Sequence, residues 1–176
     1  MSDGSRRLEG ERVTLRAPAA TDVDAIASIQ AHPAVARWWP SEGPDDTRQL
    51  LLEPDPHVEP WVIEHAGRVV GYIQDWEEPD PEFRHAGIDL FLAPGAQGTG
   101  LGPEAIRLLA RHLFEDRGHH RLTIDPAAAN ERAIPAYTKV GFRTVGRLRA
   151  YQRMPDGTWI DGSLMELLAD DLTRPG

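Results

Sequence analysis

Hydrophobic and polar residues alternate with period two from Arg12 to Arg16: Val13 and Leu15 point one way, Arg12, Thr14 and Arg16 the other, as in a strand with one buried face. After Thr21-Asp22 the period lengthens. Val23, Ile26, Ala27 and Ile29 fall at helical spacing until His32-Pro33 closes the run. The stretch from Pro40 to Pro60 is rich in Pro, Asp and Glu, so a short helix near Asp46 to Leu52 is expected inside a mobile connection. Two strands are predicted next, about Trp61 to Glu64 and Val69 to Trp76, joined by an Ala66-Gly67 hairpin turn. Beyond an acidic loop, Ala86 to Leu92 reads as a strand. A helix from Leu101 to Arg117 carries Ile106, Leu109, Ala110 and Leu113 on one face, and Arg121 to Asp125 returns as a strand. Strand, helix and strand in that order form a β-α-β unit with parallel strands and a right-handed crossover. A last helix from about Asn130 ends at Gly141, with Phe142 placed to fold back on it, and two strands flank the turn signal Pro155-Asp156-Gly157. The chain, 1–176, is expected to form one domain, frayed over about 1–8 and 171–176.

The junction inside the β-α-β unit, Ala96-Gln97-Gly98-Thr99-Gly100-Leu101-Gly102, holds three glycines at the start of a helix. A helix start leaves N–H groups without intrahelical partners, at the positive end of the dipole, which favours phosphate oxygens. Gly102 is followed by Pro103-Glu104 rather than Lys-Ser/Thr, and the last glycine comes too early for a G-x-G-x-x-G dinucleotide fingerprint. The spacing alone fits either an anion cradle or a tight turn.

Several residues break the pattern around them. Asp89 lies mid-strand and faces away from Ile88, Leu90 and Leu92, on the same face as Phe91. Asp125 repeats this at the end of the paired strand, before Pro126. Two carboxylates on neighbouring strand ends suit a polyamine, and either also suits the backbone N–H groups of a following loop. Asn130 reads as a helix cap and Tyr137 as a residue on that helix with its hydroxyl outward. Trp38-Trp39 and Trp76 read first as packing residues and, clustered with carboxylates, also suit the walls of an amine or sugar site.

Composition narrows the chemistry. The formal charge of −9 disfavours nucleic acid as a partner and suits a cationic small molecule, with Asp75, Glu77, Glu78, Asp80 and Glu82 in one cluster and Glu42, Asp45 and Asp46 in another. With no cysteine there are no disulfides, thiolate metal sites or cysteine-bound acyl intermediates. The seven histidines show no metal spacing, so no metal is expected. Without a membrane-length apolar run or an apolar segment behind Met1 to Arg7, a cytoplasmic protein with no membrane partner is expected.

Taken in order, these features resemble the GNAT superfamily of acyl-CoA-dependent N-acyltransferases. Gln97-Gly98-Thr99-Gly100-Leu101-Gly102 is similar to that family's Q/R-x-x-G-x-G/A motif, and Asn130-Glu131-Arg132-Ala133-Ile134 through Tyr137-Thr138-Lys139-Val140-Gly141-Phe142 to its second signature. The resemblance implies a single mixed, mostly antiparallel sheet with a central parallel strand pair and helices on both faces. It also implies acetyl-CoA as co-substrate, with Phe91, Leu92, Gln97 to Gly102 and Asn130 against the cofactor. Pro135 departs from the family pattern: it removes an N–H and crowds the carbonyl of Glu131, so the helix is expected to kink or start late.

A narrower resemblance, to aminoglycoside 6′-N-acetyltransferases, rests on Trp38-Trp39, Gly71-Tyr72-Ile73-Gln74, Gly87-Ile88-Asp89 and Asp125-Pro126 leading to Asn130. It implies transfer to a primary amine of a polycationic aminoglycoside by direct attack in a ternary complex, with the protein a monomer or homodimer. Asp89 would be base or anchor, Tyr137 would lie at the cofactor sulfur, and Trp38, Gln74, Trp76, Asp89 and Asp125 would hold the acceptor. Siderophore-type hydroxylysine, another small amine or a peptide are alternative acceptors, and a non-catalytic acyl-CoA sensor is a further alternative.

Overall fold

In a computed structural model, which describes residues 6–174, alternation and turn chemistry build one eight-stranded sheet. Its strands are β1 (Arg7–Glu9), β2 (Val13–Arg16), β3 (Val58–His65), β4 (Arg68–Glu78), β5 (His85–Leu92), β6 (Arg121–Ile124), β7 (Arg143–Arg153) and β8 (Trp159–Leu168). They lie in the order β1-β2-β3-β4-β5-β6-β8-β7, with β5 and β6 parallel and every other neighbouring pair antiparallel. The helices are α1 (Val23–Ala31), α2 (Pro33–Ala36), α3 (Pro44–Leu52), α4 (Leu101–Glu115) and α5 (Ala133–Val140).

Strand parity divides the buried side chains between two faces. On one, Ile63, Ile73 and Ile88 meet Ile106, Leu109 and Leu113 of α4 and Val140 of α5. On the other, Tyr72 and Phe91 pack against Val23, Ile26, Val35 and Leu51 of α1 to α3. Gln74 pairs with Asp89 across β4 and β5 and Tyr72 with Phe91, so both polar residues share the second face with the aromatic pair. Each fully buried aliphatic side chain contributes roughly 1.5–3 kcal/mol. That fixes β4 and β5 firmly beneath whatever sits on them.

Local chemistry explains most element ends. Ala66 and Gly67 both take positive φ, 48° and 73°, the two-residue turn that matches strand twist. Gly141 caps α5 at φ 118°, Phe142 donates its N–H to the Tyr137 carbonyl at 3.1 Å, and the Phe142 ring is buried. That helix starts at Ala133, about three residues later than the sequence pattern suggested. Pro135 then falls in the first turn, where no N–H is needed, and Asn130 Oδ1 accepts the Ala133 N–H at 3.2 Å.

Other segments differ from the pattern-based reading. β1 is too short to show a period, yet it pairs with β2. Leu172 packs on the core and Thr173 donates its N–H to the Val140 carbonyl at 2.9 Å, so parts of both supposedly loose ends are in contact; residues 1–5 and 175–176 lie outside the described residues. β3 begins at Val58 and runs through Pro60, which is tolerated because β2 ends opposite Val62 and asks no hydrogen bond of Pro60.

Candidate active site

The glycine loop is held from two sides. Glu104 in the first turn of α4 accepts the N–H groups of Arg12 and Val13 at 2.6 and 3.1 Å and pairs with Arg12 Nε at 3.0 Å. Burial would raise the Glu104 carboxyl, but these donors hold it below the usual carboxylate range. Arg12 in turn donates to the Thr99 carbonyl at 3.1 Å, and Gln97 Nε2 donates to the Leu92 carbonyl at 3.0 Å. Gly98 and Gly100 take φ 72° and 87°, which turns their N–H groups away from regular pairing. Among the described residues, the backbone N–H groups of Gly98, Thr99, Gly100, Leu101 and Gly102 have no protein acceptor. Five unpaired donors at the positive end of a fifteen-residue helix suit a pyrophosphate.

A groove of about 950 Å³ leads away from this loop, lined by Leu92, Phe91, Leu90, Asn130 and Tyr137 and by cationic Arg12, Arg107, Arg111, Arg132 and Lys139. It opens because β5 and β6 pair only at Ala86↔Leu122 and Gly87↔Thr123 and then part, leaving the β5 edge from Ile88 to Leu92 without a strand neighbour. A second cavity of about 550 Å³ contains Gln74, Asp89, Asp125, Gln152 and Arg153 under a wall of Trp38, Trp39 and Pro40. The two share Trp38, Trp39, Leu90, Asn130 and Tyr137, so a molecule in one meets a molecule in the other beside Asp89 and Tyr137.

Electrostatics at the junction are set by burial. Asp89 accepts Gln74 Nε2 at 3.1 Å, and burial together with the neighbouring Asp125 carboxylate pushes its carboxyl up to about 6, against the pull of Gln74 and the Trp76 indole. Burial and the same two carboxylates push the Tyr137 phenol up, so it stays a donor at neutral pH. Asp125 accepts the Tyr151 hydroxyl.

Of the residues singled out in the sequence, Trp38, Gln74, Asp89, Asp125, Asn130 and Tyr137 come together around the second cavity. Phe91, Leu92, Gln97, Gly98, Gly100 and Gly102 line the first. Thr99 and Leu101 present no side chain there: the Thr99 hydroxyl donates to the Ala96 carbonyl and Leu101 is buried in the core. Trp76 stands at the flank, against the bare backbone of Gly87 and edge-on to His85 at 5.5 Å. Sequence reasoning missed Tyr151, Gln152, Arg153 and Arg12. No local pattern marks the first three, because a strand bulge brings them in; Arg12 read simply as the polar face of a strand. Among the described residues no cluster of His, Cys, Asp and Glu is arranged to hold a metal, and no helix is long and apolar enough to cross a membrane.

The fold and site thus combine a mixed sheet parted between parallel β5 and β6 with a donor-rich glycine loop at the parting. The family model for the acetyltransferase (GNAT) domain matches residues 12–143, and the chain belongs to this family of N-acetyltransferases, which draw their acetyl group from acetyl-CoA. It is 30% identical to an aminoglycoside N(6′)-acetyltransferase type 1 of Klebsiella pneumoniae over 84% of this chain and 80% of the relative. It is 26% identical to a spermidine N(1)-acetyltransferase of Escherichia coli over 77% of this chain and 75% of that one. A solved structure of AAC(6')-Ib in complex with ribostamycin and coenzyme A superposes with a TM-score of 0.75 at 27% identity, over 92% of this chain and 96% of that chain.

Proposed function

We propose that the protein acetylates the 6′-amine of an aminoglycoside by direct attack in a ternary complex with acetyl-CoA. The observation that carries this reading is the carboxylate pair Asp89 and Asp125 in a cavity that meets the glycine-loop groove beside Tyr137. The similarity to aminoglycoside 6′-acetyltransferases supports the acceptor class.

Acetyl-CoA supplies an activated thioester carbonyl and a thiol leaving group. The N–H groups of the glycine loop hold its pyrophosphate, and the cationic side chains of the groove complement the remaining negative charge. Asp89 and Asp125 attract the acceptor ammonium, and Asp89 orients the nitrogen toward the shared wall of the two cavities. With its carboxyl near 6, Asp89 is too weak a base to strip an ammonium unaided, so it anchors the amine while water carries the proton away. A backbone N–H on the open edge of β5, between Asp89 and Leu92, receives the charge that grows on the carbonyl oxygen as the N–C bond forms. Tyr137 hydrogen-bonds the departing sulfur as the C–S bond breaks. Much of the acceleration comes from holding both reactants in register.

The test is acetyl-CoA-dependent thiol release with kanamycin, spermidine and lysine as acceptors, with the product located by mass spectrometry and NMR. A single acetyl group on the 6′-nitrogen, with kcat/KM for kanamycin at least about tenfold above that for spermidine, is expected. Preference for spermidine or lysine would replace the acceptor, and the absence of thiol release with all three would point to an acyl-CoA sensor.

A further inference from the structure

Tyr151 reaches Asp125 by a route that several residues serve. β7 is one of the two edge strands, and its register against β8 slips between Leu148↔Gly162 and Gln152↔Ile160, so Arg149, Ala150 and Tyr151 stand opposite Asp161 alone. Within this bulge Ala150 takes φ 48°, a left-handed conformation that an L side chain adopts only when its surroundings impose it. Asp161 imposes it: one carboxylate oxygen accepts the Ala150 N–H at 2.8 Å and the other accepts Arg147 Nε at 2.6 Å. The Tyr151 ring then crosses β8 above Gly162, where a Cβ would stand 2.9 Å from the ring carbon Cδ1. On the far side, β8 is tied to the segment that follows Asp125, through Ser163 N–H to the Pro126 carbonyl and Ala128 N–H to the Asp161 carbonyl, both 2.8 Å. The hydroxyl ends as a donor on Asp125 Oδ2.

Packing does not account for this arrangement, since Tyr151 remains 49% exposed. We propose that Tyr151 is a positioning residue of the acceptor cavity: carried over Gly162 by the Asp161-pinned bulge, it fixes the Asp125 carboxylate beside Asp89 so that the pair receives one acceptor ammonium. This rests on the reading that the two aspartates hold the acceptor amine. A phenol orients a carboxylate without cancelling its charge, which an arginine in the same place would do. Gln74 serves Asp89 in the same neutral way. The groups that face Asp125 are Asp89 from β5, Tyr137 from α5 and Tyr151 and Arg153 from β7; among the described residues no hydrogen bond or ion pair joins Arg153 to either carboxylate. The pair therefore keeps its negative charge for the acceptor, and Tyr151 governs acceptor affinity ahead of turnover.

Two measurements test this. The first needs no acceptor: carboxyl ¹³C NMR titration of the aspartates in the free protein, wild type against Tyr151→Phe. Loss of the donor should move the Asp89 titration by about half a pH unit or more, because the neighbouring Asp125 carboxylate that helps to raise it is no longer held in place. The second is steady-state kinetics with whichever amine the protein acetylates. Tyr151→Phe should raise the acceptor KM about 3- to 30-fold with kcat within about twofold, and Gly162→Val, which displaces the ring without touching the cavity chemistry, should match it. Tyr151→Phe combined with Asp125→Asn should be no worse than Asp125→Asn alone, because the phenol acts through that carboxylate. An unmoved titration overturns the proposal whatever the kinetics, and so does a loss confined to kcat. If the titration moves but no aminoglycoside is acetylated, the acceptor assignment falls and the positioning role stands.

Discussion

Asp89 owes its character to a single step of strand parity. One residue earlier or later on β5 the carboxylate would lie against α4; at 89 it faces Gln74, Asp125 and the aromatic wall. Removing its charge while keeping its shape should separate chemistry from architecture. Asp89→Asn is expected to lower kcat by about 10²-fold or more while the acetyl-CoA Kd, measured by calorimetry, stays put. Equal loss of cofactor affinity would make Asp89 a structural residue. In the wild type, kcat/KM for the acceptor should rise with pH through about 6, because only the ionised carboxyl attracts an ammonium, and this inflection should vanish in the variant. At this scale the sequence was informative for Asp89 and Asp125, whose polarity contradicts their strands. It said nothing of Tyr151, since an exposed tyrosine on an edge strand contradicts nothing.

Elements decide how the two cavities meet. The loop before α4 depends on left-handed backbone at Gly100, and a Cβ there would stand 3.0 Å from the Arg12 guanidinium that ties Arg12 to the loop. Gly100→Ala should therefore weaken acetyl-CoA binding about tenfold in calorimetry, with a much smaller effect on kcat; an unchanged Kd would show that the loop tolerates the strain. At the other end of the groove, Trp39 stands edge-on to Tyr72 and Phe91 at 5.8 and 5.1 Å and closes the apolar compartment above β5. Trp39→Ala should raise the rate with butyryl-CoA relative to acetyl-CoA, measured by thiol release, and an unaltered ratio would remove Trp39 as the limit on chain length. The order and type of these elements were readable from periodicity. Their ends were less so: β3 ran on through Pro60 and α5 began late, because pairing and proline placement override local pattern.

Across the whole molecule, the sheet carries a second polar centre on the face opposite Asp89. Asp75, next to Gln74 in β4, is buried against α4, accepts Trp61 Nε1 at 3.0 Å and lies 4.0 Å from Arg117, which also pairs with Glu59 at 2.6 Å. Burial pushes its carboxyl up to about 6, against the hydrogen bond from Trp61. A carboxyl raised in the folded state stays protonated there while the unfolded chain has already released its proton, so its contribution to stability is full below about pH 4 and is lost as the pH climbs to about 6. Asp75→Asn keeps an acceptor for Trp61 and cannot ionise. Its melting temperature relative to wild type should rise between pH 4 and 7, and a constant difference across that range would show that Asp75 does not titrate as its surroundings dictate.

Sequence alone determined what each segment can be. Period and turn chemistry set the strands and helices, the glycine spacing marked a close turn at a helix start, and two aspartates stood out against the apolar strands around them, because each of these signals is local and needs only neighbours along the chain. Tertiary structure alone decided which of these marks share a site. The parting of β5 from β6 opened the groove, the shared wall joined the two cavities, and a bulge in the last hairpin brought Tyr151 over Gly162 to Asp125. Those contacts span 26 residues between Asp125 and Tyr151 and 87 between Arg12 and Thr99. Such distances along the chain are closed only by packing and pairing of whole elements, so nothing in either local stretch records them.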